Sequence, residues 1–226
     1  MAEVYLRQLL MGRDVARGDF AATQMQNFVY LVGDRDAKEC LILDPAWDVA
    51  GIVAAAEADG MRVVGALATH YHPDHVGGSI FGIGIEGLPK LLEVSPCKVH
   101  AHEAEVEGIR KVTGISQSDL MGHASGDRIR VGEVEVELLH TPGHTPGSSC
   151  FRVGDALLAG DTLFLRGCGR VDLPGGDREE MQRTLTQRLA KLPGHLMLYP
   201  GHAYGGEREK LDEVRQNNPV LRARRP

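Results

Sequence analysis

Apolar positions along the chain follow two rhythms. Short unbroken runs, "FVYLVG" at 28–33 and "ECLILD" at 39–44, are separated by the polar "DRDAK" and predict a β-hairpin. After Asp48 the spacing becomes helical: Val49, Ile52, Val53 and Ala56 fall on one face, with Asp48 placed to cap the helix and Gly60 to stop it. "RVVGALAT" at 62–69 is branched and short, as a buried strand should be, and "CKVHA" is a further strand candidate. The second half repeats the alternation. "DRIRVGEVEVELLHT" reads as a hairpin bent at Gly132, and "SSCFRV" and "ALLAGD" as two more strands. Met181, Leu185, Leu189 and Leu192 then form a helical stripe. Asp177 is its cap, Glu180 stands where a capping box needs it, and Pro193-Gly194 ends it. "LMLYPGH" is a last strand and turn, and "GEREKLDEVRQ" a terminal helix. Two strand-rich units, each followed by a helix and with no linker between, predict a layered α/β architecture in a single domain over 1–226.

Composition adds boundaries. With 226 residues, 42% of them hydrophobic, the chain can bury a real core. A net charge of −6 without a long basic run argues against nucleic acid or an anionic membrane as partner. The arginines of the closing "LRARRP" read as a solvated end. The first twenty residues have no apolar stretch flanked by a cleavage site, and no run approaches a membrane span, so a cytoplasmic protein is expected. Cys40, Cys97, Cys150 and Cys168 lack the spacing of a zinc knuckle or a disulfide scaffold.

The polar residues with chemistry to offer gather at strand ends. "THYHPDH" puts His70, His72, Asp74 and His75 directly after a predicted strand, with Pro73 to turn the chain. His144 follows another strand in "HTPGHTPGS", Asp161 closes "ALLAGD", and His202 sits in "YPGHAYG". Imidazole and carboxylate side chains delivered to one edge of a rigid sheet suit zinc, iron or manganese. Five histidines and two aspartates exceed the needs of one tetrahedral ion, and two ions sharing one carboxylate would use them all. His100, His102, His123, His140 and His195 lack this setting and are read as structural or surface groups. Gly82, Gly84 and Gly87 match a dinucleotide fingerprint by spacing, but the histidine cluster precedes them and Pro89 follows, so no such cofactor is expected.

The ordered signature T-H-x-H-x-D-H, Gly-His, Gly-Asp, Pro-Gly-His from Thr69 to His202 resembles the metallo-β-lactamase superfamily. The resemblance implies a four-layer αββα sandwich with metals at one edge. It assigns His70, His72 and His144 to one ion, Asp74, His75 and His202 to a second, and Asp161 to the bridge. "GDTLFLRGCGRVDLPGGD" and "LYPGHAYGG" resemble the glyoxalase II-like and persulfide dioxygenase-like branches, which implies a small, thiol-derived substrate. The acidic residue usual in those branches after the last histidine is Ala203 here.

Two zinc ions would lower the pKa of a shared water and polarise a carbonyl, so a thioester, ester or lactone could be cleaved without a serine or cysteine nucleophile. In that reading Asp74 and Asp161 are the catalytic carboxylates whose charge holds the ions. The alternative is one Fe(2+) on His70, His144 and Asp161 in a persulfide dioxygenase. Arg170 is a candidate to meet a substrate carboxylate, or else pins its loop to Asp172. Tyr204 is the other substrate-side candidate, with a hydroxyl long enough to reach Asp161, or else a packing residue. Cys168 reads as loop packing. The apolar, Gly-rich "SIFGIGIEGLPKLLEVSPC" is expected to be a lid or a subunit contact in a homodimer.

Overall fold

In the computed structural model, which describes residues 2–222, the main strands form two six-stranded sheets. Arg224 and Arg225 of the closing arginines lie outside the described residues. The first sheet opens with β1 (Val4–Leu10), β2 (Phe28–Asp34), β3 (Glu39–Leu43) and β4 (Arg62–Leu67), after α1 (Phe20–Met25) and α2 (Val49–Ala58) have been threaded between them. A one-turn helix, α3 (Pro73–Val76), leads into a small hairpin of β5 (Gly78–Ile80) and β6 (Ile83–Ile85), then α4 (Leu88–Val94). β7 (Lys98–His102), α5 (Val106–Thr113) and β8 (Leu120–His123) complete the sheet in the order β1-β2-β3-β4-β7-β8. The second sheet comprises β9 (Arg128–Val131), β10 (Val134–His140), β11 (Ser149–Val153), β12 (Ala156–Leu158), β13 (Met197–Tyr199) and β14 (Glu209–Lys210), with α6 (Arg178–Arg183) before β13. α7 (Leu211–Asn217) and α8 (Pro219–Arg222) follow.

Three apolar layers hold four structural layers together. Phe28, Tyr30 and Val32 of β2 and Leu41 and Leu43 of β3 pack against Val136, Leu138, Phe151 and Leu158 of the facing sheet. The alternate residues Val29, Leu31 and Ile42 face the other way, onto Val49, Ile52, Ala56, Leu88, Leu91 and Ile109 of the helices. The outer face of the second sheet is covered by Met181, Leu185, Leu189, Leu211 and Val214. This is the expected αββα sandwich. It also explains why β2 reads as a continuous apolar run rather than an alternation: both of its faces are covered.

At the edge where β4, β12 and β13 end, main-chain bonds join the two sheets. Phe28 N donates to Gly201 O at 2.8 Å, Ala203 N to Gln26 O at 3.0 Å, and Ser149 N to Thr69 O at 3.0 Å.

The structure departs from the sequence reading in four places. The helix capped by Asp177 is α-helical only through Arg183; Thr184–Arg188 widens into a π turn and Leu189–Lys191 tightens into a 3₁₀ turn. There Thr184 Oγ1 donates to Pro142 O at 2.7 Å and Arg188 to His140 O at 2.9 Å, so the helix follows the neighbouring loop rather than its own register. The capping box is half formed: Asp177 accepts from Glu180 N, while the Glu180 carboxylate pairs with Arg183 and Arg188. The terminal helix starts at Leu211, because Glu209–Lys210 is drawn into the sheet beside β13. Finally, the segment expected to be wholly lid or contact is divided. Phe81 at the tip of the β5–β6 hairpin is fully exposed, but Leu88 and Leu91 of α4 are buried in the core.

Candidate metal centre

Strand β4 ends at Leu67, and the next residues run along the rim of the sandwich. His70 follows on β4 and His72 is carried on extended backbone; Pro73, at the first position of α3, then folds the chain so that Asp74 and His75 turn inward. His144 comes from the β10–β11 loop, Asp161 from the end of β12, and His202 from the turn after β13. Glycines let these loops approach. Gly143, at φ +135°, lies so close to Met181 that a Cβ would sit 2.5 Å from its backbone nitrogen; Gly160, at φ +48°, packs on Thr69.

The seven side chains converge. Donor atoms of His70, His72 and His144 lie within 4.8 Å of one another, as do those of Asp74, His75 and His202. In the second group the edges His75 Nε2–His202 Nε2, His75 Nε2–Asp74 Oδ2 and His202 Nε2–Asp74 Oδ2 are 3.3, 3.4 and 3.4 Å. A tetrahedral ion with ligand bonds of about 2.0–2.1 Å spans edges of about 3.4 Å, so this triangle fits one. Asp161 faces both groups: Oδ1 is 3.4 Å from His75 Nε2, and Oδ2 is 3.4 Å from His202 Nε2 and 3.7 Å from His144 Nε2. Two buried atoms here, His70 Nε2 and Asp161 Oδ1, have no hydrogen-bond partner. Buried polar atoms are nearly always paired. A cation is the partner that both an imidazole lone pair and a carboxylate oxygen would accept.

The far sides of the rings are anchored, which fixes which nitrogen faces the centre. His144 Nδ1 donates to Arg170 O and His202 Nδ1 to Met25 O, both at 2.7 Å. His70 Nδ1 meets Thr69 Oγ1 at 2.9 Å; that hydroxyl donates to Asp44 Oδ2, which also receives His75 Nδ1 at 2.9 Å. Asp44, His70 and His75 also lie close enough to suggest a third group. Their facing atoms are already spent on one another through Thr69, so this cluster is scaffolding. Asn27 backs the second group: its Nδ2 donates to Asp74 Oδ2 at 3.0 Å, and its Oδ1 accepts from Trp47 Nε1 at 3.0 Å.

Sequence reasoning passed over Asp44, Asn27 and Trp47. Asp44 was visible as the acidic end of a run too apolar to be exposed, and Asn27 as a polar residue opening a fully buried strand. Arg170 turns its guanidinium to Asp172 in a two-pronged pair at 2.9 Å, and both side chains are about two-thirds exposed. The Tyr204 ring stacks on His202 at 4.7 Å, and its hydroxyl donates to Met25 O rather than to Asp161. Cys168 packs among the apolar residues beneath the second sheet, and burial pushes its thiol up. The remaining histidines stand apart: His100 pairs with His123, His102 stacks on His140, and His195 is exposed beside Asp155. Gly82 and Gly84 belong to the exposed hairpin, not to a strand-to-helix turn.

Electrostatics favour a cation. Burial pushes the Asp161 carboxyl up, but His202 and His75 outweigh it and hold it well below the usual range. Burial likewise opposes charge on His75, yet Asp74, Asp161 and Asp44 push it up to about 10. His72 goes the other way, down to about 4, through burial and then through His144 and His75. The centre thus draws positive charge to the carboxylates while keeping His72 neutral, the form that binds metal.

The sequence model of the metallo-beta-lactamase superfamily matches residues 22–202, the span that delivers every one of these side chains. The chain belongs to that superfamily. A metallo-beta-lactamase fold is a metalloenzyme scaffold, and this chain is a metalloenzyme of that kind. The mitochondrial persulfide dioxygenase ETHE1 of Homo sapiens is 35% identical over 199 residues, covering 86% of this chain and 71% of the human protein. A hydroxyacylglutathione hydrolase of Polaromonas sp. is 36% identical over 183 residues, covering 79% of this chain and 63% of that protein. Among solved structures, ETHE1 from Myxococcus xanthus superposes with a TM-score of 0.76 at 27% identity, over 96% of this chain and 84% of that one. TTHA1623 in a di-iron-bound form gives 0.69 at 27% identity, over 87% of this chain and 96% of that one. The glyoxalase II-like and persulfide dioxygenase-like relatives expected from the sequence are therefore both present within the superfamily.

Proposed function

We propose that the protein is a hydrolase with a dinuclear zinc site that cleaves a small thioester, ester or lactone. The observation that carries this reading is the completeness of both donor groups, each with its own trio of side chains and Asp161 between them. His70, His72 and His144 would hold one ion, Asp74, His75 and His202 the other, and Asp161 would face both. Bound there, the ions would supply a water of lowered pKa and a Lewis acid for the substrate carbonyl. The protein's part is orientation: Thr69, Asp44, Arg170 O and Met25 O set the ring nitrogens before anything binds. Tyr204, stacked on His202, would stand beside the substrate, and Arg170 would leave Asp172 to meet a substrate carboxylate. A thiol-derived acyl compound, such as an acylated glutathione, is the substrate class that the hydroxyacylglutathione hydrolase relative favours. The partner is then a small molecule, not nucleic acid or membrane. Among the described residues no helix is long and apolar enough to cross a membrane. All four cysteines are free thiols, which supports a cytoplasmic setting.

A second reading is favoured by the ETHE1 relatives: one Fe(2+) on His70, His144 and Asp161, oxidising a persulfide. Metal analysis of protein purified without added metal separates the two. We expect about two zinc per chain, with cleavage of acylated glutathione. About one iron per chain, with oxygen uptake on glutathione persulfide, would overturn the first reading.

A further inference from the structure

We propose that Glu105 is a positioning residue that holds the two loops carrying His70, His72 and His144 at the separation their shared ion requires. This inference rests on reading those histidines as metal ligands, but not on whether the reaction is hydrolysis or oxidation. Glu105 is wholly buried at the start of α5. Glu105 stands at the N-terminal cap position of α5, and its side chain makes no bond to that helix. It reaches outward instead. Oε2 accepts from Tyr71 N, the amide between His70 and His72, at 2.7 Å. Oε1 accepts from Thr145 Oγ1 at 2.7 Å and Gly147 N at 2.6 Å, just after His144. The approach is built into the chain. A Cβ on Gly147 would lie 2.7 Å from Glu105 Cγ and 2.8 Å from its backbone nitrogen, so only glycine lets this loop descend so far.

The chemistry of the link points to a carboxylate in particular. Three donors approach, one to Oε2 and two to Oε1, and only a carboxylate accepts at both oxygens. Glutamine would offer one oxygen and one N–H₂ group, so it could satisfy the Tyr71 side or the Thr145–Gly147 side, not both. Among the described residues no lysine or arginine pairs with Glu105. A buried carboxylate without a cation is costly, and clamping two ligand loops beside a cationic centre is a function that repays this. Groups that orient metal ligands from behind change metal affinity about 10–100-fold when altered.

The test uses Co2+ as probe on the full chain stripped with chelator, read by its visible d–d bands and by chelator competition, with His72→Ala marking the class of site that His72 serves. For Glu105→Gln we expect that class to weaken about 10–100-fold with altered bands, while the class of Asp74, His75 and His202 changes by less than about threefold. Glu103→Gln, on the same short turn but exposed, should leave both unchanged. Unchanged affinity and bands in Glu105→Gln would overturn the proposal. So would equal weakening of every site alongside a lowered melting temperature, which marks general loosening. Should Glu105→Gln not fold, Thr145→Val carries the test, since it removes one of the three donors; it should weaken the same class in the same direction by less. A wild-type chain that binds no Co2+ would instead overturn the metal reading on which this inference rests.

Discussion

Thr69 shows how little freedom the centre leaves to a single residue. Its hydroxyl accepts a hydrogen bond from His70 Nδ1 and donates one to Asp44, and Asp44 also accepts from His75, so the Thr69–Asp44 pair orients rings assigned to two different ions. Asp44→Asn keeps the shape but offers an amide where two donors arrive. Its metal affinity should fall about 10–100-fold by chelator competition, and an unchanged affinity would remove Asp44 from the orienting network. Asp161→Ala should lose both bound metal and turnover, because the oxygens facing both groups vanish; turnover retained in that variant would contradict a shared carboxylate. The outlying histidines act through protons instead. Burial, then His123 for His100 and His140 for His102, push both down to about 4. Folding therefore favours their neutral forms. The stability they contribute is complete above about pH 6.5 and is lost as pH falls toward 4. Urea midpoints measured at pH 7, 6 and 5 should decline, and decline less in His100→Gln/His102→Gln. An equal decline would place the acid sensitivity elsewhere.

Elements whose pattern is set by burial on both faces or by one clear stripe were legible from sequence. The β2–β3 hairpin falls where its two apolar runs stand, and α2 begins at the Asp48 cap, with Val49, Ile52 and Ala56 buried. The apolar stripe that begins in α6 is also real: Met181, Leu185 and Leu189 are buried although the winding changes after Arg183. What periodicity could not reveal was the pull of neighbours. Thr184 and Arg188 serve carbonyls forty or more positions away, and Glu209–Lys210 is strand only because β13 offers an edge. Leu185→Ala should cost about 2–5 kcal/mol in urea unfolding, as a buried methyl pair in a packed layer does; a loss well under 1 kcal/mol would mean that the layer collapses around it. The β5–β6 hairpin, with Phe81 exposed at a tip of positive φ, is where a cover over the centre would be sought. Limited proteolysis there should slow when a substrate analogue is bound. Equal cleavage with and without it would argue against any covering role.

On the scale of the molecule, the donors come from both sheets: His70 to His75 from the rim of the first, and His144, Asp161 and His202 from the rim of the second. The sequence displayed the donors and their order, because each follows a readable strand. It could not display the faces on which Asn27, Trp47, Asp44 and Glu105 would meet them, since those contacts join positions tens to more than a hundred residues apart. A cation held by both sheets should stabilise the fold by mass action. At a free metal concentration a thousand times its Kd, we expect about 4 kcal/mol relative to chelated protein, read as a higher melting temperature. Equal melting temperatures would show that the ions contribute nothing to the fold.

The rim where Phe28, Ala203 and Ser149 donate across the sheets bears on how ions would come and go. Main-chain clasps on either flank mean that the walls of the centre cannot part without breaking peptide hydrogen bonds. Exchange of an ion then falls to swinging imidazoles, on a far faster clock than any parting of the halves. The amides of those three residues should resist deuterium for as long as the whole fold does, with metal or without it.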